Sequence, residues 1–131
     1  MLKNATVQAT IPAQDLARAK AFYTEKLGLT PTEEREQGIR FELNGTEFLL
    51  FPSAGAASGT HTQASFEVKD AEAEISELRS RGVVFEEYDL PGLKTVNGVA
   101  DIPEIGKGGF FKDTEGNVIG VFQRVESRVN A

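Results

Sequence analysis

Apolar and polar residues alternate over short stretches of this chain, recur at helical spacing over two others, and do both in the same order twice. Val7, Ala9 and Ile11 alternate with Thr6, Gln8 and Thr10, which predicts a strand with one buried face. Beyond Asp15, the residues Leu16, Ala19, Phe22, Tyr23 and Leu27 recur at the spacing of one helix face and predict about three turns. Asp15 is placed to cap that helix, because its carboxylate accepts from the free amides of the first turn and suits the positive end of the dipole. Gly28 supplies the left-handed stop. In the second pass Ala64, Phe66 and Val68 alternate with His61, Gln63, Ser65 and Glu67. Asp70 then caps, Ala71, Ile75 and Leu78 form the apolar face, and Gly82 ends the helix. Between the helices, the stretch from Phe41 to Phe48 reads as a hairpin turning at Asn44-Gly45.

The order strand, Asp, helix, Gly, strands therefore occurs twice, and each copy closes alike. Asn44-Gly45-Thr46 precedes Phe48 to Phe51, and Glu115-Gly116-Asn117 precedes Ile119 to Phe122, with Leu49 falling on Gly120. This predicts one domain of two modules, about residues 4–52 and 61–124, joined by a small-residue linker at 53–60. Residues 90–108 read as a longer loop with weak strand character near Val99, open to a role as a lid or as an ordinary surface excursion. The strand faces turned from the helices would carry Gln8, Gln63, Ser65, Gly120 and Phe122. If the sheets curve together, these faces form a shared concave surface.

Composition narrows the chemistry. The 131 residues are 40% apolar with nine Phe, enough for a packed core, and hold no Cys and a single His, His61. Disulfides, thiolate catalysis, Cys-ligated metals and multi-histidine sites within one chain are excluded. Twenty acidic against 14 basic residues give a net charge of −6, against a nucleic-acid surface. The apolar runs are too short to span a membrane, and the first residues lack the apolar core of a signal peptide. The expectation is a soluble cytoplasmic protein.

The stretch Ile11-Pro12-Ala13-Gln14-Asp15-Leu16-Ala17-Arg18-Ala19-Lys20-Ala21-Phe22-Tyr23 with Leu27-Gly28-Leu29, and the later Phe110-Phe111-Lys112-Asp113-Thr114-Glu115-Gly116-Asn117, resemble the vicinal oxygen chelate superfamily. That superfamily includes glyoxalase I, bleomycin-resistance proteins, fosfomycin-resistance enzymes and extradiol dioxygenases. The resemblance runs over roughly residues 5–123. It implies an α+β fold of two tandem βαβββ modules, a half-open curved mixed sheet around a cleft with helices outside, and a homodimer. Metal-using members carry a His or Gln at the position of Gln8, seven residues before the capping Asp15, and a His at the position of Gln63. Their acids fall at Leu49 and Gly120. Two amides remain and both acidic ligands are gone, so no ordinary metal site is expected.

Other chemistry is thin. His61 and Glu67 lie about 20 Å apart along an extended strand, too far to share an ion. Nothing positions a nucleophile beside His61, and catalytic residues stay unassigned. Lys94 and Tyr88 are candidates for the cleft mouth, and Phe41, Phe110 and Phe122 for its walls or for the core. The leading expectation is a protein binding a small molecule without metal or cofactor, through Gln8, Leu49, Gln63, Ser65, Phe110, Gly120 and Phe122. The alternatives are a lyase, isomerase or dioxygenase-like enzyme with a degenerate or substrate-completed metal site, so that a divalent metal stays open, and a partner-binding domain with a vestigial cleft.

Overall fold

The computed structural model describes residues 1–125. In the first module β1 (Ala9–Ala13) leads into α1 (Leu16–Ala21), and β2 (Glu33–Arg35), β3 (Gly38–Leu43) and β4 (Thr46–Pro52) follow. Their sheet has the order β1-β4-β3-β2, with β1 parallel to β4. In the second module β5 (Thr62–Glu67) leads into α2 (Ala71–Ser80). After it come β6 (Asp89–Leu90), β7 (Leu93–Val96), β8 (Val99–Ile102), β9 (Gly106–Lys112) and β10 (Val118–Arg124). The order here is β5-β10-β9-β8-β7-β6, again with the first strand parallel to the last. The repeat in the sequence is thus a repeat of topology: two open mixed sheets, each crossed once by a helix.

Local chemistry explains the helix ends. The Asp15 carboxylate accepts from the Arg18 amide at 3.0 Å and that of Asp70 from the Ala73 amide at 3.1 Å. The expected three regular turns of the first helix are corrected. After Ala21 the chain widens into a π-type turn over Phe22–Lys26, in which the Leu27 amide reaches the Phe22 carbonyl. Val7 is also corrected: β1 pairs only from Ala9 onward, opposite Phe48, and Val7 is 98% exposed.

The segment 90–108 is not a loop. It contains β7 and β8, which continue the second sheet outward from β9. Their turn is Asn97-Gly98, with φ of 53° and 80°, matching Asn44-Gly45 at 50° and 81°. Both are two-residue turns whose left-handed residues match the twist of an antiparallel ribbon.

One core serves both modules. Phe41 and Phe48 stack at 4.9 Å, Phe48 meets Phe66 edge-on at 5.7 Å, and Phe111 packs on Phe85 at 5.4 Å. Phe41 is therefore core, at 1% exposure. Polar contacts fasten the start of α1 to the turn before β10. Arg18 donates to both carboxylate oxygens of Glu115, at 2.8 and 3.0 Å, and the Asp15 amide donates to it as well. Asn117 donates to the Pro12 carbonyl, and the Glu115 and Asn117 amides donate to Asp113. The Arg18 hydrogen bonds outweigh burial and pull the Glu115 carboxyl down to about 2. Burial is also the main reason the Tyr23 phenol is pushed up, which keeps its proton in place.

Candidate functional site

Each sheet has one face turned from its helix. On the second sheet, Gly120 pairs with Ser65 on one side and Phe110 on the other. A Cβ at Gly120 would stand 2.6 Å from the Ser65 hydroxyl oxygen and 3.6 Å from the Phe110 ring. The absence of a side chain at residue 120 is thus what lets the Ser65 hydroxyl lie over the strand. Tyr88 extends this face, its ring 6.0 Å from that of Phe110 and nearly perpendicular to it. An open cavity of about 790 Å³ lies over the same strands, lined by Ser65, Glu67, Glu104, Ile105, Phe122 and Arg124 among others. Glu104 enters it from a turn where its φ is 71°, a left-handed conformation uncommon for a residue with a side chain.

The first sheet carries a different arrangement. The Gln8 amide donates to Glu47 at 2.9 Å. Glu47 in turn lies 3.7 Å from the Arg40 guanidinium, which also bridges to Glu33 and Glu42. Leu49 faces Thr10 across the β1–β4 pair, and its side chain packs over Gly38. Gln63 sits where the β5–β10 register slips by one residue, and its amide donates to the Thr10 carbonyl of β1 at 3.1 Å. It thereby joins the two sheets.

The sequence candidates consequently fall into two groups. Ser65 and Phe122 line the cavity, and Gly120 and Phe110 adjoin Ser65. Gln8, just before β1, and Leu49 on β4 lie at the first sheet and are not among the residues lining that cavity, while Gln63 stands between the sheets. Lys94 is corrected: it lines a groove beside α2, on the helix side of the second sheet, rather than the face with Phe110. His61 is exposed, and among the described residues its ring hydrogen-bonds the adjoining Thr62 carbonyl. Glu47 was missed, although the alternation of β4 puts it on the same face as Leu49, two residues before it.

A family model described as the Glyoxalase/Bleomycin resistance protein/Dioxygenase superfamily matches residues 6–121. The chain belongs to this superfamily. Solved structures of similar fold include TnmS3, an antibiotic binding protein from Streptomyces sp. CB03234, at 22% identity and a TM-score of 0.66 over 95% of this chain and 98% of that one. The lactoylglutathione lyase of Agrobacterium tumefaciens is similar at 22% identity and 0.65, covering 92% and 93%. The fosfomycin resistance protein FosX of Listeria monocytogenes is similar at 11% identity and 0.67, again over 92% and 93%. No curated protein matches the sequence significantly.

Some members of the superfamily use a metal held at four positions, which in this chain are Gln8, Leu49, Gln63 and Gly120. The four positions hold two neutral amides whose nitrogens already donate elsewhere, a leucine, and a glycine whose space adjoins the Ser65 hydroxyl. They do not fit a divalent cation, which needs anionic or imidazole ligands. Among the described residues, no group of three His, Asp or Glu side chains converges elsewhere, and no helix is long and apolar enough to cross a membrane.

Proposed function

We propose that this superfamily member binds a small molecule, without a metal, in the open cavity over β5 and β10. The observation that carries the proposal is the Gly120–Ser65 contact: the family's acid position has no side chain, and a hydroxyl adjoins the space one would fill. Phe122 offers an aromatic surface, Ser65 a hydrogen-bonding group, and Ile105 an apolar rim. Among the described residues, the Glu104 carboxylate and the Arg124 guanidinium at this cavity suit a zwitterionic ligand, and the net acidic chain adds a preference for a cationic one. The antibiotic-binding description of TnmS3, a protein of the same fold, supports a sequestering role. A homodimer and a cytoplasmic location belong to the same proposal.

A thermal-shift and calorimetric screen of planar, cationic and peptide-like compounds tests it. Saturable binding that Gly120→Phe abolishes supports the reading, and no binding by any class overturns it. One observation favours an enzyme instead: the acid missing at Leu49 reappears two residues earlier as Glu47, beside Gln8. Metal analysis of protein purified without chelator decides between the two. Stoichiometric nickel, zinc, manganese or iron would overturn the metal-free reading in favour of the enzymatic alternative.

A further inference from the structure

The dipeptide Asn-Gly occurs twice, as Asn44-Gly45 and Asn97-Gly98, and both copies form hairpin turns of nearly equal φ. Asparagine before glycine carries a chemistry of its own. The glycine amide nitrogen, once it gives up its proton, can attack the carbonyl carbon of the asparagine side chain. A new carbon–nitrogen bond forms, the bond to the side-chain nitrogen breaks, and that nitrogen leaves as ammonia with the proton. The cyclic imide left behind is opened by water at either of its carbonyls, which gives aspartate or isoaspartate. Glycine permits the attack because no Cβ crowds the approach.

The fold treats the two attacking nitrogens differently. Gly45 is exposed, a Cβ built on it would meet nothing within 4 Å, and among the described residues its amide donates no hydrogen bond. Gly98 is buried, and its amide donates to the Glu87 carboxylate. Removing that proton would exchange a charge-assisted hydrogen bond for an amide anion held against a carboxylate. The second turn is also gripped from both sides. Arg79 donates to the Asn97 carbonyl at 2.7 Å, and Cβ of Phe85 lies 2.9 Å from where a Gly98 Cβ would stand. Ring closure requires the asparagine backbone to swing out of the turn, which these contacts resist. The Arg79 guanidinium pulls the other way by drawing electrons from the Asn97 carbonyl, but Glu87 is bonded to the amide itself and outweighs it.

We propose that Asn44 is a site of spontaneous deamidation, and that the Glu87 carboxylate protects Asn97, the same dipeptide in the same kind of turn. The product carboxylate at residue 44 adds a negative charge to the rim of a cavity of about 550 Å³ between the two sheets, which Glu47 and Ser65 also line. The isoaspartate form also lengthens the backbone of the β3–β4 turn by one carbon. Neither a ligand over β5 and β10 nor a metal is needed for this reaction.

The test is incubation of the folded full chain at mildly alkaline pH and physiological temperature, with aliquots digested and the peptides bearing residues 44 and 97 followed by mass spectrometry. The mass gain of amide-to-acid conversion should accumulate at least about tenfold faster at Asn44 than at Asn97, the worth of one hydrogen bond to a charged group. Isoaspartyl methyltransferase should label the Asn44 peptide. In concentrated urea the two rates should converge, because the turns and the Glu87 contact are gone. Glu87→Ala should accelerate loss at Asn97 at least fivefold and leave Asn44 unchanged. Glu87→Gln, which keeps an acceptor without the charge, should fall between. Equal rates in the folded chain, a faster Asn97, or a difference that persists in urea overturns the proposal. Rates at Asn97 that neither Glu87 variant changes overturn the protective role of that carboxylate.

Discussion

The Tyr23 hydroxyl donates to the Asp113 carboxylate at 2.7 Å, between a helix in the first module and a turn in the second, with both groups buried. The same carboxylate oxygen also accepts from the Asn117 side chain at 2.9 Å. Tyr23→Phe keeps the ring and removes one charge-assisted bond to a buried acceptor, so it should cost about 1.5–3 kcal/mol. Urea denaturation of the variant should show a lower midpoint with an unchanged slope.

Glu115 makes stability depend on acid. Its folded value of about 2 lies below the ordinary 4.5, so the folded form favours the carboxylate. The contribution is complete above pH 4.5 and is lost as pH falls towards 2. With Arg18 half exposed, roughly 2 kcal/mol is expected rather than the full linkage value. Glu115→Gln should lower stability at pH 7 and flatten this acid limb, as measured by denaturation at stepped pH.

The contact between residues 65 and 120 predicts a coupled pair. Gly120→Ala alone places a Cβ 2.6 Å from the Ser65 oxygen and should destabilise by about 1–3 kcal/mol. Ser65→Ala removes that oxygen and leaves a Cβ contact of 3.4 Å. The double variant should therefore recover much of the loss, which a double-mutant cycle in urea measures directly.

Gly98 is placed for a local test. Its φ is 80°, and a Cβ there would stand 2.9 Å from Cβ of Phe85. Gly98→Ala should cost more than about 1 kcal/mol, combining strain with a clash against a buried ring. Hydrogen exchange should report faster opening of β7 and β8.

What the sequence revealed and what it hid separate by range. Both helix caps, both glycine stops and the Asn44-Gly45 hairpin depend on neighbours within a few residues, and each is legible. The Asn97-Gly98 turn carries the same signal, but Pro91, Gly92 and Pro103 around it read as loop punctuation and masked two strands. Asp113, Glu115 and Asn117 read as an ordinary polar turn before a strand. Their burial depends on Tyr23, Arg18 and Pro12, which lie 90, 97 and 105 residues away, and periodicity carries no information at that distance. At the candidate site, alternation correctly turned Ser65 and Phe122 outward. It could not show that the Gln8 amide is taken by Glu47, because that contact depends on how β1 registers against β4.

The long reach of these contacts has a kinetic meaning. During synthesis Tyr23 leaves the ribosome some 90 residues before the carboxylate that receives its proton. Until Asp113 emerges, the first module has a phenol with no acceptor and an Arg18 with no carboxylate to grip. Native anchoring of the first helix thus waits for nearly the whole chain, as expected where distant pairings dominate. A nascent chain stalled before residue 113 should stay open to proteases and chaperones, and one stalled after β10 has emerged should not.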